Sequence, residues 1–210
     1  MSIPSTPTLS SHDRILRAAK RLFAEVGYEN TSTVSVAREA GTSESQLMKH
    51  FGSKQGLLIA ILDRGWTAIA ERVKASNHQA SPADRLIAML SAVTIEFEND
   101  AQLKTIAALE TRRVRKDSTE VAISRGYRRY REMLERVLID MRTEGQIRSD
   151  LNLDAVSAAV VGFADGLWRD QIVSTRSGMH SSYSFDDMQK VFGLLLDIFG
   201  EPPAQRAKAS

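Results

Sequence analysis

Apolar residues recur every three or four positions along most of the chain, and no segment alternates steadily between apolar and polar residues. This spacing is typical of α-helices that bury one face. The prolines stand at positions 4, 7, 82, 202 and 203, so the interior is nearly free of helix breakers. We predict an all-α protein whose helices cover residues 11–26, 33–40, 44–51, 54–76, 82–98, 100–113, 117–144, 154–175 and 185–199.

The composition is that of an ordinary globular protein, with 42% hydrophobic and 26% charged residues in 210. Residues 1–10 and 201–210 are polar, small or proline-rich, and we expect both to be flexible tails. Cysteine is absent, which excludes disulfides and thiolate metal ligands. The N-terminus has no signal-peptide pattern, and no segment approaches the roughly 18 apolar residues of a membrane span. We therefore expect a cytoplasmic protein with no membrane partner.

The net charge is only +2, from 28 basic and 26 acidic residues, so binding to polyanions through overall charge is not indicated. Any nucleic-acid site must therefore be local. A basic cluster does occur within residues 112–131, and it comprises Arg112, Arg113, Arg115, Lys116, Arg125, Arg128, Arg129 and Arg131. We favour a solvated face with helical ion pairs over a site for an anionic ligand.

Two short helices flank a tight turn within residues 33–51. Gly41 follows the first helix, where a left-handed backbone costs glycine little. Ser43 can cap the second helix, and Leu47 points back toward the core. The remaining outward positions of the second helix are all polar, namely Glu44, Ser45, Gln46, Lys49 and His50. Such a helix fits the major groove of DNA, where base edges are read. A pair of ordinary solvated helices is the alternative.

Residues 14–62 resemble the DNA-binding domain of the TetR family of bacterial transcriptional repressors. The matching positions are Ala19, Leu22, Phe23, Gly27, Tyr28, Thr31, Ser32, Ala37, Ala40, Gly41, Ser43, Leu47, His50, Phe51, Ser53, Lys54, Leu57 and Leu58. The resemblance implies a helix-turn-helix DNA-binding domain over residues 11–53. It also implies a helical effector-binding and dimerisation domain over residues 54–200.

The resemblance assigns DNA contacts to individual residues. Ser32, Thr33 and Lys54 would contact phosphates. Thr42, Ser45, Gln46, Lys49 and His50 would face the groove or its walls. Two positions depart from the family pattern: Met48 replaces a tyrosine that usually touches the DNA backbone, and Val34 replaces a polar residue that commonly reaches the DNA.

The last two predicted helices carry features of a dimer interface. Ala158, Gly162 and Gly166 form a smooth ridge on one, while apolar residues cover most of the circumference of the other. We predict that Ala158, Gly162, Gly166, Val191, Leu195 and Ile198 contact a second copy. The resemblance implies a four-helix bundle between the two copies. Burial of both helices inside one chain is the alternative.

The predicted helices five to eight supply a candidate ligand cavity for a hydrophobic or aromatic compound. We assign to it Leu90, Thr94, Phe97, Leu109, Tyr127, Tyr130, Leu134 and Trp168. Aromatic residues at helical spacing are also typical of a plain core, and that alternative stays open.

The resemblance implies a ligand-responsive repressor that binds a palindromic operator as a dimer and is released by a small molecule. A shift of the fourth helix would cause the release, with Gly65 as a flexing point. An effector-independent architectural or cell-division factor is the alternative. An enzyme is more remote, because the four histidines are scattered and neither a phosphate loop nor a nucleophile elbow is present. We expect no catalytic residue, metal or cofactor.

Overall fold

The computed structural model describes residues 9–76, 80–108, 123–178 and 183–200. In these ranges the regular structure is entirely α-helical, which confirms the predicted fold class. The helices are α1 (Ser11–Glu25), α2 (Thr33–Glu39), α3 (Glu44–Phe51), α4 (Lys54–Ala75), α5 (Pro82–Asn99), α6 (Ala101–Ala107), α7 (Arg125–Thr143), α8 (Leu153–Ser177) and α9 (Phe185–Phe199). None of the helices in these ranges is long and apolar enough to cross a membrane.

Serine hydroxyls fix where most of these helices begin. Each accepts a hydrogen bond from the backbone N–H three residues later, which satisfies a donor that the first turn leaves open. The capping serines are Ser10 of α1, Ser32 of α2, Ser43 of α3, Ser81 of α5 and Ser184 of α9. The starts of these serine-capped helices could therefore be predicted closely from sequence.

The predicted helix over residues 117–144 is wrong at its start. Residues 123 and 124 are not helical, and α7 begins at Arg125. Ile123 precedes Tyr127 and Tyr130 at the spacing of four and three residues that is typical of one helix face. The spacing of apolar residues therefore does not reveal where the helix begins. Helix α6 ends at Ala107, and the predicted continuation to residue 113 lies mostly outside the described residues. Residues 1–8 of the predicted N-terminal tail, the whole predicted C-terminal tail, and Arg112, Arg113, Arg115 and Lys116 also lie outside them, whereas Ser10 of the predicted tail caps α1.

The chain divides by packing into two compact units, and α4 runs from the first into the second between Gly65 and Trp66. The first unit comprises residues 1–65 and 101–124, and in it α1 packs against α2, α3 and α6. The second comprises residues 66–100 and 125–210, where α5 packs against α7 and α9, and α7 against α8. This division by packing differs from the predicted functional boundary at residues 53 and 54.

Gly65 has a packing role that the sequence did not reveal. It is buried in the first unit, and a Cβ atom at this position would lie 2.5 Å from a terminal methyl carbon of Leu103. The absence of a side chain therefore lets α4 approach α6 closely.

Candidate nucleic-acid interface and ligand cavity

Helix α3 presents a polar face to solvent. Leu47 is fully buried and anchors the helix, whereas Glu44, Ser45, Gln46, Lys49 and His50 are exposed. The turn before α3 has Gly41 at a φ of +62°, and the backbone N–H of Thr42 donates to the carbonyl of Ala37 at 3.0 Å. The structure thus builds the helix-turn-helix geometry that the sequence predicts, with one helix free to enter a groove.

The start of α2 carries two of the predicted phosphate contacts. Ser32 is exposed and forms a reciprocal capping box with Ser35, in which each hydroxyl accepts from the other residue's backbone N–H. Thr33 donates its hydroxyl hydrogen to the carboxylate of Glu44 on α3. A carboxylate therefore lies beside the predicted phosphate contacts, a feature that the sequence analysis did not anticipate.

Lys54 has partners other than the phosphate predicted for it. Its ammonium group donates to the carbonyl oxygens of Tyr28 at 2.9 Å, Thr31 at 3.0 Å and Glu29 at 3.4 Å. The same nitrogen lies 4.4 Å from the centroid of the Tyr28 ring. Because an ammonium group has three donors, this conformation leaves none of them for DNA. Lys54 instead fixes the loop between α1 and α2 against the start of α4.

A further residue that the sequence analysis missed lies beside His50. The imidazole of His12, at the start of α1, has its centroid 5.8 Å from that of His50 and 4.8 Å from the Phe51 ring. Nothing in the sequence links positions 12 and 50, since only the crossing of α1 and α3 brings them together. His12 therefore adds a polar aromatic group next to the candidate DNA-binding face.

In the second unit, three of the predicted ligand residues line one cavity between α5, α8 and α9. They are Leu90, Thr94 and Trp168, and the other lining residues are Ile87, Phe163, Ala164, Leu167, Met188, Gln189 and Phe192. The cavity volume is about 20 Å³, which suffices for about one water molecule. The indole N–H of Trp168 is buried without an acceptor among the described residues.

Three more of the predicted ligand residues, Phe97, Tyr127 and Tyr130, lie in a neighbouring aromatic cluster. The cluster also contains Trp66, which the sequence analysis did not single out. The centroid of its ring lies 4.9 Å from that of Tyr127, 5.1 Å from that of Tyr130 and 6.4 Å from that of Phe97. The ring centroid of Phe97 lies in turn 5.2 Å from that of Trp168. Burial raises the pKa of the Tyr130 hydroxyl above its ordinary range, as expected for a group in a core. Leu134 is buried in this unit, and Leu109 lies outside the described residues.

Apolar side chains on α9 are exposed to solvent in the single chain. Val191 is 48% exposed and Ile198 71%, while Leu195 is only half-buried. Leu194, which was not among the predicted contacts, is 65% exposed. On α8, Ala158 and Gly162 are exposed and Gly166 is half-buried. These two helices thus have surfaces that the described residues of this chain leave uncovered.

Residues 15–61 match the family described as bacterial regulatory proteins, tetR family. The helix-turn-helix region is therefore a domain of the TetR family. Among the described residues no group of His, Asp and Glu side chains could hold a metal ion.

Relatives that align with most of this chain are also regulators. The chain is 28% identical over 169 residues to the HTH-type transcriptional regulator HbdR of Aromatoleum sp. (strain CIB), covering 78% of this chain and 72% of that protein. It is 22% identical over 153 residues to the fatty acid metabolism regulator protein of Bacillus subtilis (strain 168), covering 72% and 78%. The chain is therefore a DNA-binding transcriptional regulator.

A solved structure extends the similarity to the whole fold. The transcriptional regulator FadR from Bacillus subtilis, in complex with stearoyl-CoA, superimposes with a TM-score of 0.73 at 19% identity. The match covers 90% of this chain and 98% of that one, so both helical domains share its fold.

Proposed function

We propose that two copies of this regulator bind a palindromic operator, repress transcription and leave the DNA when a hydrophobic or aromatic small molecule binds. The observation that carries the proposal is the exposed polar face of α3, held in place by the fully buried Leu47. In the proposed arrangement residues 11–53 bind DNA, and residues 54–200 bind the effector and the second copy. The site of action is the cytoplasm, where the chromosome lies.

The contacts with DNA follow from the placement of the polar side chains. Gln46 and Lys49 read base edges, with Thr42, Ser45 and His50 at the groove or its walls. Ser32, through its hydroxyl, and Thr33, through its backbone N–H at the start of α2, contact phosphates. These residues are exposed or half-buried in the single chain, so DNA reaches them without unfolding.

Dimerisation through α8 and α9 supplies the second recognition helix. The exposed Val191, Leu194 and Ile198 would become buried against the smooth ridge of Ala158 and Gly162 or against their own copies. Two recognition helices related by a twofold axis require half-sites about 34 Å apart, one turn of DNA.

We assign the effector to the cavity between α5, α8 and α9, which we call the effector cavity. This cavity is almost closed, and its size determines how an effector can act. A volume of about 20 Å³ is too small for an organic compound, so the effector must bind a conformation in which α5, α8 and α9 have separated. A ligand that prefers this open state shifts the population toward it. The named ligand of the similar FadR structure is stearoyl-CoA, and its stearoyl chain is an apolar group of the kind that suits such walls.

The unpaired indole N–H of Trp168 narrows the class of effector. A buried donor without an acceptor costs free energy, which a ligand oxygen would recover. We therefore expect a mainly apolar effector that carries at least one carbonyl or hydroxyl oxygen.

A continuous set of aromatic contacts connects the cavity to α4. Trp168 lines the cavity and contacts Phe97, and Phe97 contacts Trp66 on α4. Because α4 is one uninterrupted helix from Lys54 to Ala75, displacement of Trp66 moves the same helix that begins directly after α3. Through these contacts, effector binding shifts α4, and the shift of α4 lowers the affinity for the operator.

A displacement assay tests the proposal. The protein is bound to a fluorescent operator duplex, and acyl-CoA thioesters of graded chain length and a naphthol are added while anisotropy is recorded. We expect release by at least one compound, with no release by free coenzyme A. Operator binding that no compound weakens would favour the effector-independent factor.

A further inference from the structure

A second cavity lies on the opposite side of α5 from the effector cavity. Arg85 and Met89 face it, whereas Ile87, Leu90 and Thr94 face the effector cavity, a separation that follows from the helical turn of 100° per residue. Its walls come from the end of α4, the first half of α5 and the second half of α7. Its volume is about 380 Å³, so in contrast to the effector cavity it is open in this conformation.

The floor of this second cavity is apolar and its rim is cationic. Val73, Met89 and Val137 are buried and form the floor. The charged residues among those that line it are Lys74, Arg85, Arg136 and Asp140, which gives a net charge of +2 from three cations and one anion.

The one acidic group on the rim is already neutralised. Arg85 donates through Nη2 to a carboxylate oxygen of Asp140 at 2.6 Å. The Nε atom of Arg85 has no acceptor among the described residues. Lys74 forms an ion pair with Glu71 at 2.8 Å, so the exposed Arg136 is the cation best able to receive an anion. A guanidinium group binds a carboxylate through two parallel hydrogen bonds.

We propose that this cavity is a second ligand site, separate from the effector cavity, for a small carboxylate with an apolar body. The carboxylate pairs with Arg136 at the rim, and the apolar body covers Val73, Met89 and Val137. Because Val73 and Lys74 belong to α4 and Arg85 to α5, a ligand there bridges the two helices that the effector must separate or shift. Occupancy of this site therefore adjusts the response to the effector.

Methionine methyl groups provide a direct test, since the two cavities contain different methionines. Met89 and Met133 line the second cavity, and Met188 lines the effector cavity. Octanoate is added to the full-length protein labelled with ¹³C at the methionine methyls, and the signals are assigned with Met→Leu variants. We expect saturable shifts of the Met89 and Met133 signals and an unchanged Met188 signal. Shifts of Met188 alone, or no saturable shift, would overturn the proposal.

Matched variants and a neutral analogue test the role of charge. Arg136→Glu should weaken octanoate binding at least about tenfold, whereas Arg128→Glu, an exposed arginine on the same helix that does not line the cavity, should not. Octanol, which has the same chain without a carboxylate, should also bind about tenfold more weakly. Equal affinities of octanoate for Arg136→Glu and wild type would contradict the assignment. Because the measurement needs no DNA, its failure is distinguishable from failure of operator release.

Discussion

The ammonium group of Lys54 lies 4.4 Å from the centroid of the Tyr28 ring and donates a 2.9 Å hydrogen bond to the carbonyl oxygen of the same residue. Two further carbonyls of the same loop, those of Glu29 and Thr31, accept from this group. One side chain thus fixes the loop that leads into α2. We therefore expect its contribution to DNA binding to be indirect, through the position of α2.

This contact predicts a loss of stability on Lys54→Met, which retains the aliphatic chain and removes the donors. We expect the free energy of unfolding to fall by about 2 kcal/mol, the range for hydrogen bonds to charged groups. Urea unfolding followed by circular dichroism measures it. Lys49→Met is the control, since Lys49 is exposed on α3 and its loss should leave stability unchanged. Equal unfolding midpoints for wild type and Lys54→Met would refute the structural role.

The position of the Glu44 carboxylate predicts that its negative charge lowers the affinity of the protein for the operator. It accepts a hydrogen bond from Thr33, beside the proposed phosphate contacts. Glu44→Gln removes a charge that repels the DNA backbone, and we expect binding about threefold tighter at low salt, with a smaller gain as salt rises. Fluorescence anisotropy measures the affinity. Glu98→Gln, at an exposed position of α5, serves as the control and should have no effect. Weaker binding by Glu44→Gln would show that the carboxylate positions Thr33 usefully.

The exposed apolar face of α9 predicts that a single charge prevents dimerisation. Ile198 is 71% exposed in the single chain, so Ile198→Glu should not disturb the fold of the protomer. Burying the carboxylate in an interface is costly, and we expect the dimer dissociation constant to rise at least about a hundredfold. Analytical ultracentrifugation distinguishes the two masses. Val26→Glu, at another exposed apolar residue, should remain dimeric. A dimer that survives Ile198→Glu would place the interface elsewhere.

The contacts of Phe97 predict a variant that binds the effector without releasing DNA. Phe97→Leu loses the ring that touches both Trp168 and Trp66. We expect this variant to bind the effector with an affinity close to that of wild type. The factor by which the bound effector lowers operator affinity, which is the coupling, should be smaller by at least about fivefold. Phe163→Leu is the comparison: Phe163 lines the cavity and contacts Phe192 at 5.9 Å, so its loss should weaken effector binding and leave coupling intact. Both are measured by the displacement assay. Unreduced coupling in Phe97→Leu would rule out the aromatic route.

Local sequence signals were sufficient for the helices and for the α2–α3 pair. Gly41 ends α2 through its backbone preference, and Ser43 starts α3 through a short-range hydrogen bond, so both act within a few residues. The partners of Lys54 were not predictable, because they lie 23 to 26 positions away and depend on how the loop packs. The same holds for Thr33 and Glu44, which meet only when α2 and α3 cross.

In the second unit, the sequence did not separate the residues of the exposed face of α9, or those of the cavity wall, from their neighbours. Apolar residues cover most of α9, so the 3.6-residue period could not tell the more exposed Leu194 from the half-buried Leu195. In the cavity region, residues of the same type and spacing serve either the aromatic cluster or the cavity wall. The role of Trp66 was not predictable, because its partners Phe97, Tyr127 and Tyr130 are distant in the sequence and meet it only in the fold.

Selection of bound sequences from a library of random DNA duplexes tests the central claim most directly. If α3 of each protomer reads the major groove, the wild-type protein will enrich a palindrome whose half-sites lie about one helical turn apart. Gln46→Ala should lose this preference, and Lys49→Ala should bind it more weakly with a salt dependence reduced by about one unit. No enriched sequence with the wild type, or the same sequence enriched equally by Gln46→Ala, would contradict the account.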